Sequence, residues 1–334
     1  MRWGTFVIVF SLAVATFIVV WYVAKKSHSQ RTTYVCRKEP FSYIHKKKYF
    51  IVIAAIFKKE NTYMDEWYEF YISQGIDHFY VYDNNEESPE SARAFAISSR
   101  FPGKVTLVPW TDVEVVGEDT IQRAAYQHCV DNFHHVFQWV LLADIDELAY
   151  STKPKFTLKD VMEKCVPPNV PYVKIPRFNF GNNFHENRPP SGGVVVNFTR
   201  REKKISSYKA ISNADFLDLK RPTRGVHRFV YTTKKNAINR GMKIVCSLPA
   251  SFSEIPLVMN HYYTKSYEEY VEKCLLWKNS VPINLLGRRS QKCCDRSVFN
   301  KKNRNEVVDR RARTLQASAR ARTARRSPYG TVRQ

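Results

Sequence analysis

The sequence predicts an α/β fold, chiefly because apolar strands alternate with amphipathic helices in its first half. The run Tyr49–Phe57 (YFIVIAAIF) is unbroken and apolar, which is typical of a buried parallel strand. A helix is predicted next, because Asn61 or Thr62 can cap it and Asp65 and Glu66 would occupy its first turn. Its apolar residues recur at helical spacing and form one stripe: Met64, Trp67, Tyr68, Tyr71 and Ile72.

Three more strands complete the predicted sheet. They are expected at 76–82, 104–110 and 136–143, and a helix capped by Thr120 precedes the last of them. In such sheets, ligands bind beyond the carboxyl ends of the strands. Polar residues gather at these ends and are expected to face one crevice: Lys59, Glu60, Asp83, Asn84, Asp144 and Asp146. The second half has short extended pieces between prolines and one further predicted helix, at 266–277.

The amino-terminal segment 4–24 is a nearly continuous apolar run without charge. At about 1.5 Å per residue a helix of this length crosses a bilayer core of about 30 Å, so we predict a single transmembrane anchor. A cleavable signal peptide, cut near Ala13–Ala15, is the alternative. Lys25 and Lys26 follow the run, whereas Arg2 and the amino terminus precede it. By the positive-inside rule, these charges place the long carboxyl-terminal part in the cytoplasm.

The chain is strongly basic, with a formal net charge of +22, but this charge lies mainly at its two ends. From Leu286 onward, 15 Lys and Arg residues face 3 acids, which gives +12 (15 − 3) in that segment. We therefore divide the chain into an anchor (4–24), a basic stem (25–48), a globular domain (49–285) and a basic tail (286–334). The tail has no sustained apolar pattern, and we predict it to be disordered.

Seven cysteines are present, and no two of them are spaced as CxxC, which argues against a zinc site. An odd number fits one or more disulfides together with a free thiol. It does not by itself require an oxidising compartment.

The motif Asp144-Ile145-Asp146-Glu147 follows the fourth predicted strand directly. Three carboxylates so close together repel one another unless a cation or basic groups neutralise them. In an extended chain, alternation would send Asp144 and Asp146 to the same side. Carboxylate oxygens suit Mg²⁺ or Mn²⁺, which commonly share their coordination with substrate phosphates. The motif therefore indicates a metal–diphosphate site, and a strand end whose acids face water is the alternative.

Four segments, in order, resemble the motifs of glycosyltransferase family 92, and together they extend from about Tyr49 to Trp277. They are 57–84 (FKKENTYMDEWYEFYISQGIDHFYVYDN), 122–129 with the later Trp139 and DIDEL, 180–201 (FGNNFHENRPPSGGVVVNFTRR) and 261–266 (HYYTKS). The pattern departs from the family at Lys59, where Asn is usual, and at Tyr71, where His is frequent. Asn182-Asn183-Phe184 replaces a small, Ser/Gly-rich stretch, so acceptor identity is not transferred.

This resemblance implies a GT-A fold, in which a Rossmann-like mixed sheet flanked by helices binds the nucleotide and a second half binds the acceptor. It also implies a metal-dependent inverting glycosyltransferase with UDP-galactose as the usual donor. Asp144, Asp146 and His261 would bind Mn²⁺ (or Mg²⁺). The donor would be bound by Lys59, Glu60, Asp83, Gln122, Asp144 and Lys265.

For each of these residues an ordinary structural role is the alternative: core packing for His261, turn chemistry for Asp83 and Glu60, solvation for Lys265. An inverting reaction also needs a general base for the acceptor hydroxyl. Glu186, Asp215 and His185 are the candidates.

Family members act in the Golgi lumen, so the resemblance implies a type II membrane protein with a lumenal catalytic domain, against the flanking charges. The expected partners are a UDP-sugar, a glycan acceptor and the membrane. Two other classes remain open. One is a basic protein that binds nucleic acid or another polyanion, although the aromatic residues lie in core patterns and not among the tail arginines, so no specific nucleic acid is expected. The other is an inactive, glycosyltransferase-like scaffold.

Overall fold

An eight-stranded mixed sheet organises the part of the chain that the computed structural model describes. That part comprises residues 36–43, 46–86, 88–111, 121–220, 225–232, 257–280 and 294–326. The predicted anchor at 4–24, most of the stem and the Thr120 cap lie outside these residues. Across the described ranges, no helix combines the length and the apolar character needed to span a bilayer.

The strands are β1 (Tyr49–Phe57), β2 (His78–Asp83), β3 (Val105–Pro109), β4 (Phe137–Leu142), β5 (Glu147–Ser151), β6 (Tyr172–Asn179), β7 (Arg200–Arg201), β8 (Ser207–Asn213), β9 (Leu257–His261) and β10 (Val307–Val308). The α-helices are α1 (Met64–Ser73), α2 (Pro89–Ser98), α3 (Ile121–Phe133), α4 (Leu158–Cys165), α5 (Val194–Asn197), α6 (Tyr267–Ser280), α7 (Arg296–Lys302) and α8 (Arg311–Arg326).

The sheet has a parallel half and a largely antiparallel half. Its strand order is β3-β2-β1-β4-β8-β6-β9-β5. β1 is parallel to both β2 and β4, and β2 is parallel to β3. β8 runs antiparallel to β4 and β6, whereas β9 is parallel to β6 and antiparallel to β5. The predicted mixed α/β fold is therefore confirmed, and the carboxyl ends of β1, β2 and β4 meet at one edge.

The first helix begins one or two residues later than a cap at Thr62 or Asn61 predicts. Asn61–Tyr63 form a 3₁₀ turn, and α1 starts at Met64. Neither the 3₁₀ turn nor α1 has a side-chain cap. The side-chain Nδ2 of Asn61 instead donates to the Glu90 carbonyl at 2.6 Å. The predicted cap is thus wrong, because Asn61 ties this turn to α2.

Helix α2 was not predicted between β2 and β3. Its signals are local: the Ser88 side chain accepts a hydrogen bond from Ser91 N, Pro89 occupies the first turn and Glu90 follows it. These features favour a helix start. Only a few of its residues are buried (Ala94, Ile97 and Ser98), so its apolar stripe is too narrow to stand out in the sequence.

The basic tail is folded over residues 294–326, so the predicted disorder is wrong for this part; the rest of 286–334 lies outside the described residues. Strand β10 pairs antiparallel with β7. Beside this pair, the buried Arg201 guanidinium donates to Asp309 Oδ2 at 2.8 Å. On α8, Gln316 is buried and donates to Glu66 Oε1 of α1 at 3.3 Å. Hydrophobic periodicity does not reveal this tail, because polar contacts carry much of its packing.

Two cysteines of the described region cross-link distant parts of the chain. Cys36, in the predicted stem, is bonded to Cys165 at the end of α4. Cys274 of α6 is also disulfide-bonded. Cys129 is a free thiol buried in the core, as its position on the apolar face of α3 predicts.

Candidate functional site

The acidic motif lies in a tight turn between β4 and β5. The Glu147 amide donates to the Asp144 carbonyl at 3.0 Å, which closes the turn. The expectation that Asp144 and Asp146 project to the same side of an extended strand is therefore wrong. Their two carboxylates have different surroundings: Asp144 is partly exposed, whereas Asp146 is 1 % exposed.

Glu147, the last acid of the motif, anchors this turn. Its carboxylate is fully buried and accepts hydrogen bonds from Arg177 of β6 at 2.6 Å and from the Asp144 amide at 3.1 Å. It also pairs with the ammonium of Lys209 of β8 at 2.8 Å. Burial acts to lower the pKa of Lys209, but Asp144 and Glu147 outweigh this and raise it, so the ammonium stays charged. One carboxylate thus ties the turn to two other strands.

Asp144 faces α3 and β8. Its Oδ1 accepts from Gln122 Nε2 at 2.8 Å and from the Tyr126 hydroxyl at 3.2 Å. Its Oδ2 lies 3.4 Å from Lys209 Nζ, and its carbonyl accepts from the Trp67 indole at 3.1 Å. Gln122 is therefore brought to Asp144, and it orients this carboxylate.

Asp146 has one satisfied and one unsatisfied oxygen. Its Oδ2 accepts from Lys273 Nζ of α6 at 2.5 Å, and Lys265 Nζ lies 4.0 Å away. Its Oδ1 is buried and receives no hydrogen bond from any described group. Burial acts to raise the pKa of Asp146, but Lys273 and its other neighbours hold it below the usual range. The group is therefore a carboxylate with a free lone-pair direction.

His261 faces that unsatisfied oxygen. Strand β9 lies between β6 and β5, so His261 is paired with Asn179 on one side and with Glu147 on the other. The His261 Nδ1 and Asn179 Oδ1 atoms are 2.9 Å apart, which assigns the proton to Nδ1. Nε2 then carries a lone pair and lies 3.6 Å from Asp146 Oδ1. Burial lowers the pKa of His261 to about 3, so the imidazole is neutral near pH 7.

A cleft of about 360 Å³ opens beside these groups. Five of the six predicted donor-binding residues line it: Lys59, Glu60, Gln122, Asp144 and Lys265. Asp83 does not; its buried carboxylate accepts from the Asn85 amide and from the Ser91 hydroxyl, which is turn chemistry. Asn84, the residue after it, lines the cleft instead.

The three base candidates lie outside the cleft lining. Glu186 is exposed and paired with Arg296 of α7. Asp215 pairs with Lys47 at 2.8 Å and accepts from Gln138 at the amino end of β4, on the opposite edge of the sheet from Asp144. The His185 ring packs edge-on against Phe198. The cleft-lining carboxylates of α6, Glu269 and Glu272, were not singled out in the sequence.

These side chains fit a metal that is shared with a substrate. In the described ranges, no group of three or more His, Cys, Asp and Glu side chains is arranged to hold a metal by itself. His261 Nε2 and Asp146 Oδ1 nevertheless lie 3.6 Å apart, and no hydrogen bond joins them because neither atom carries a proton. A divalent ion bound by two protein groups and by substrate phosphates is the common arrangement for Mg²⁺ and related ions.

Four groups that shape the site carry no recognisable signal in the sequence: Lys273, Asn179, Lys209 and Arg177. Lys273 stands among glutamates on α6 and has the spacing of a solvated helix face. Lys209 and Arg177 lie on strands whose pairing brings them to Glu147 from 62 and 30 residues away (209 − 147 and 177 − 147). No local pattern marks such residues, since register alone determines where they point.

The chain is similar to known proteins in sequence and, more weakly, in fold. The model of glycosyltransferase family 92 matches residues 47–303. A glycosyltransferase family 92 protein of Ricinus communis is 23% identical over 230 residues. The match covers 68% of this chain but 38% of the relative, so the chain spans well under half of that protein's length.

Two solved structures are similar in part. A mannosyltransferase from Pyrobaculum calidifontis, in complex with GDP-Man and Mn²⁺, has a TM-score of 0.39 and 11% identity, over 96% of this chain and 87% of that one. HddC from Yersinia pseudotuberculosis has a TM-score of 0.27 and 8% identity, over 49% of this chain and 72% of that one. Neither likeness is close enough to define this fold.

Replacing Lys209 by Met should destabilise the protein strongly, because the buried Glu147 carboxylate would lose one of its two positively charged partners and keep only Arg177. Loss of one partner of a buried pair costs about 3–5 kcal/mol. Urea unfolding measures this change. Lys174→Met on the neighbouring strand β6, where the half-buried ammonium lies near the Tyr208 ring, is the matched control. In the double variant Glu147→Gln/Lys209→Met, the loss of unfolding free energy should be smaller than the sum of the two single losses by about 1 kcal/mol or more. Strict additivity would contradict the anchoring role.

Proposed function

This chain belongs to glycosyltransferase family 92, and on that premise we propose that it transfers a sugar from a nucleotide-sugar to a glycan acceptor with the help of a divalent metal ion. The observation that carries the proposal is the pair of unprotonated atoms Asp146 Oδ1 and His261 Nε2, which lie 3.6 Å apart beside the cleft with no hydrogen bond between them. A buried oxygen without a donor is costly, and a cation bound between the two atoms removes that cost.

The chemistry of these two donors favours Mn²⁺ over Mg²⁺. Magnesium is bound almost entirely by oxygen, whereas imidazole is a ligand for transition metals. The Asn179 carboxamide holds the His261 ring in the required tautomer, as outer ligands do at many metal sites. When bound here, the ion would stabilise the charge that develops on the departing diphosphate.

Cations of the cleft support a diphosphate as the bound group. Lys265 and Lys273 both direct their ammonium groups towards Asp146, and Arg188 also lines the cleft. Gln122 and Lys209 orient Asp144 at the other side of the turn.

UDP-galactose is our proposed donor, and a GT-A arrangement is our proposal for the fold; both rest on the sequence motifs. In that arrangement, the parallel half from β1 to β4 binds the nucleotide.

The acceptor hydroxyl requires a general base on the face opposite the leaving group. Since Glu186, Asp215 and His185 do not line the cleft, we expect the base among Glu60, Glu269 and Glu272, which do. Burial raises the pKa of Glu60, which makes this carboxylate a stronger base. The pKa of Glu269 moves the other way: burial would raise it, but its bonds to Tyr63 and Ser266 lower it.

Turnover of nucleotide-sugars tests the function directly. The full chain in mild detergent, offered a panel of UDP- and GDP-sugars with Mn²⁺, should release UDP from one donor, and EDTA should stop the release. Asp146→Asn should lose roughly 100-fold or more of this activity, since it weakens a charge-stabilising group. Asp65→Asn, which removes a charge from the exposed pair with Arg100, is the matched control.

Full Mn²⁺-dependent activity in Asp146→Asn would contradict the assignment. UDP and Mn²⁺ binding without turnover of any donor, with a broad glycan panel as acceptor, would favour the inactive scaffold.

We propose that the domain acts in the Golgi lumen as a type II membrane protein. The flanking charges of 4–24 oppose this topology, but the Cys36–Cys165 disulfide and the disulfide at Cys274 support it, because structural disulfides form in oxidising compartments. In sealed Golgi vesicles, protease should therefore leave the domain intact until detergent is added. Digestion without detergent would place it in the cytoplasm.

A further inference from the structure

Lys273 makes the closest charged contact with Asp146, yet it is the most accessible cation around it. Its Nζ lies 2.5 Å from Asp146 Oδ2 and 3.7 Å from Glu60 Oε1. Its side chain is 44 % exposed and reaches the carboxylate from α6, across the cleft wall. The side chain therefore borders the open cleft, and a group bound in the cleft lies within its reach.

Lys265 differs from Lys273 in this respect. Its side chain is 8 % exposed, its ammonium lies over the Tyr63 ring at 5.2 Å, and its backbone has φ of 46°. A non-glycine residue in this left-handed conformation is held there by its surroundings. Lys265 is thus a buried positive charge on a constrained backbone. Lys273 is attached to a regular helix and is held by its ion pairs and by a more distant ring contact, 5.9 Å from Tyr263.

The ion-paired charges around the acidic turn balance in this arrangement. In this cluster, four carboxylates (Glu60, Asp144, Asp146 and Glu147) are matched by four cations (Arg177, Lys209, Lys265 and Lys273). Arg188, which also lines the cleft, is paired separately with Glu269 and Glu272. A divalent ion alone would therefore raise the cluster to +2 in a partly buried place, which is unfavourable. A divalent ion together with a diphosphate, which carries at least two negative charges, would avoid this excess.

We propose that Lys273 is an exchangeable counter-ion. It neutralises Asp146 when the cleft holds no nucleotide, and it moves to the diphosphate when metal and nucleotide enter together. Asp146 Oδ2 then loses its hydrogen bond from Lys273, and both oxygens of this carboxylate become available to the metal ion. This inference rests on the proposed function and adds a consequence to it: metal binding and nucleotide binding are coupled through one side chain, and the metal alone binds weakly.

Mn²⁺ binding, measured by the electron paramagnetic resonance signal of the free ion, tests the proposal on the full chain with and without UDP. In the wild type, saturating UDP should lower the dissociation constant of Mn²⁺ by roughly tenfold or more, within the usual range of coupling between sites. Lys273→Met removes the competing ammonium. It should bind Mn²⁺ alone about tenfold more tightly than the wild type does, and UDP should then add much less.

Two controls separate this effect from a structural one. Lys273→Arg keeps the charge and should retain most of the coupling. Lys164→Met removes an ammonium that pairs with Asp160 at 2.9 Å on α4, outside the site, and should behave as the wild type. Coupling is reciprocal, so Mn²⁺ must change the affinity for UDP by the same factor.

The outcomes distinguish a failure of the exchange role of Lys273 from a failure of the proposed function. If Lys273→Met binds Mn²⁺ alone no more tightly than the wild type, while the wild type binds Mn²⁺ and UDP together, the exchange role is wrong and the proposed function stands. If the folded wild type binds neither Mn²⁺ nor UDP, the proposed function itself fails.

Discussion

The buried Glu147 carboxylate is the interaction on which the site depends. It lies at the start of β5 and is held by Arg177 of β6, by Lys209 of β8 and by the Asp144 amide. A buried charge is tolerated only when partners of this kind surround it. These contacts fix the turn, and the turn sends Asp144 and Asp146 in different directions. Asp144 is thereby placed against Gln122 and Tyr126, whereas Asp146 lies beside His261 and the lysines of the cleft.

Strand β9 supplies the second half of the site. Its position between β5 and β6 places His261 opposite Glu147 and beside Asn179. The Tyr262 amide also donates to the Asp146 carbonyl at 2.8 Å, which holds the two chain segments together. Both contacts are made by the backbone. Backbone pairing therefore brings His261 and Asp146 close together, and their side-chain rotamers are not the only determinant of the distance between them.

The sequence predicts the parallel half of the fold well and the site only in part. The segments that form β1 and β4 are mostly apolar and are followed by polar residues, so their hydrophobicity identifies them. Asp144, Asp146 and His261 were found through their motifs, and the structure brings Asp146 and His261 together. Lys273 and Asn179 could not be found in this way, since their roles follow from a helix position and a strand register. The folded tail was missed because it is attached through polar pairs such as Arg201–Asp309.

The central claim is that a divalent ion binds between Asp146 and His261. Crystals grown with Mn²⁺ and UDP, with diffraction data collected at the manganese absorption edge, test it most directly. The account predicts one anomalous peak beside the cleft, within about 2.5 Å of both Asp146 Oδ1 and His261 Nε2 and in contact with the UDP phosphates. Bound UDP with no anomalous peak, or a peak that His261 and Asp146 do not touch, would contradict it.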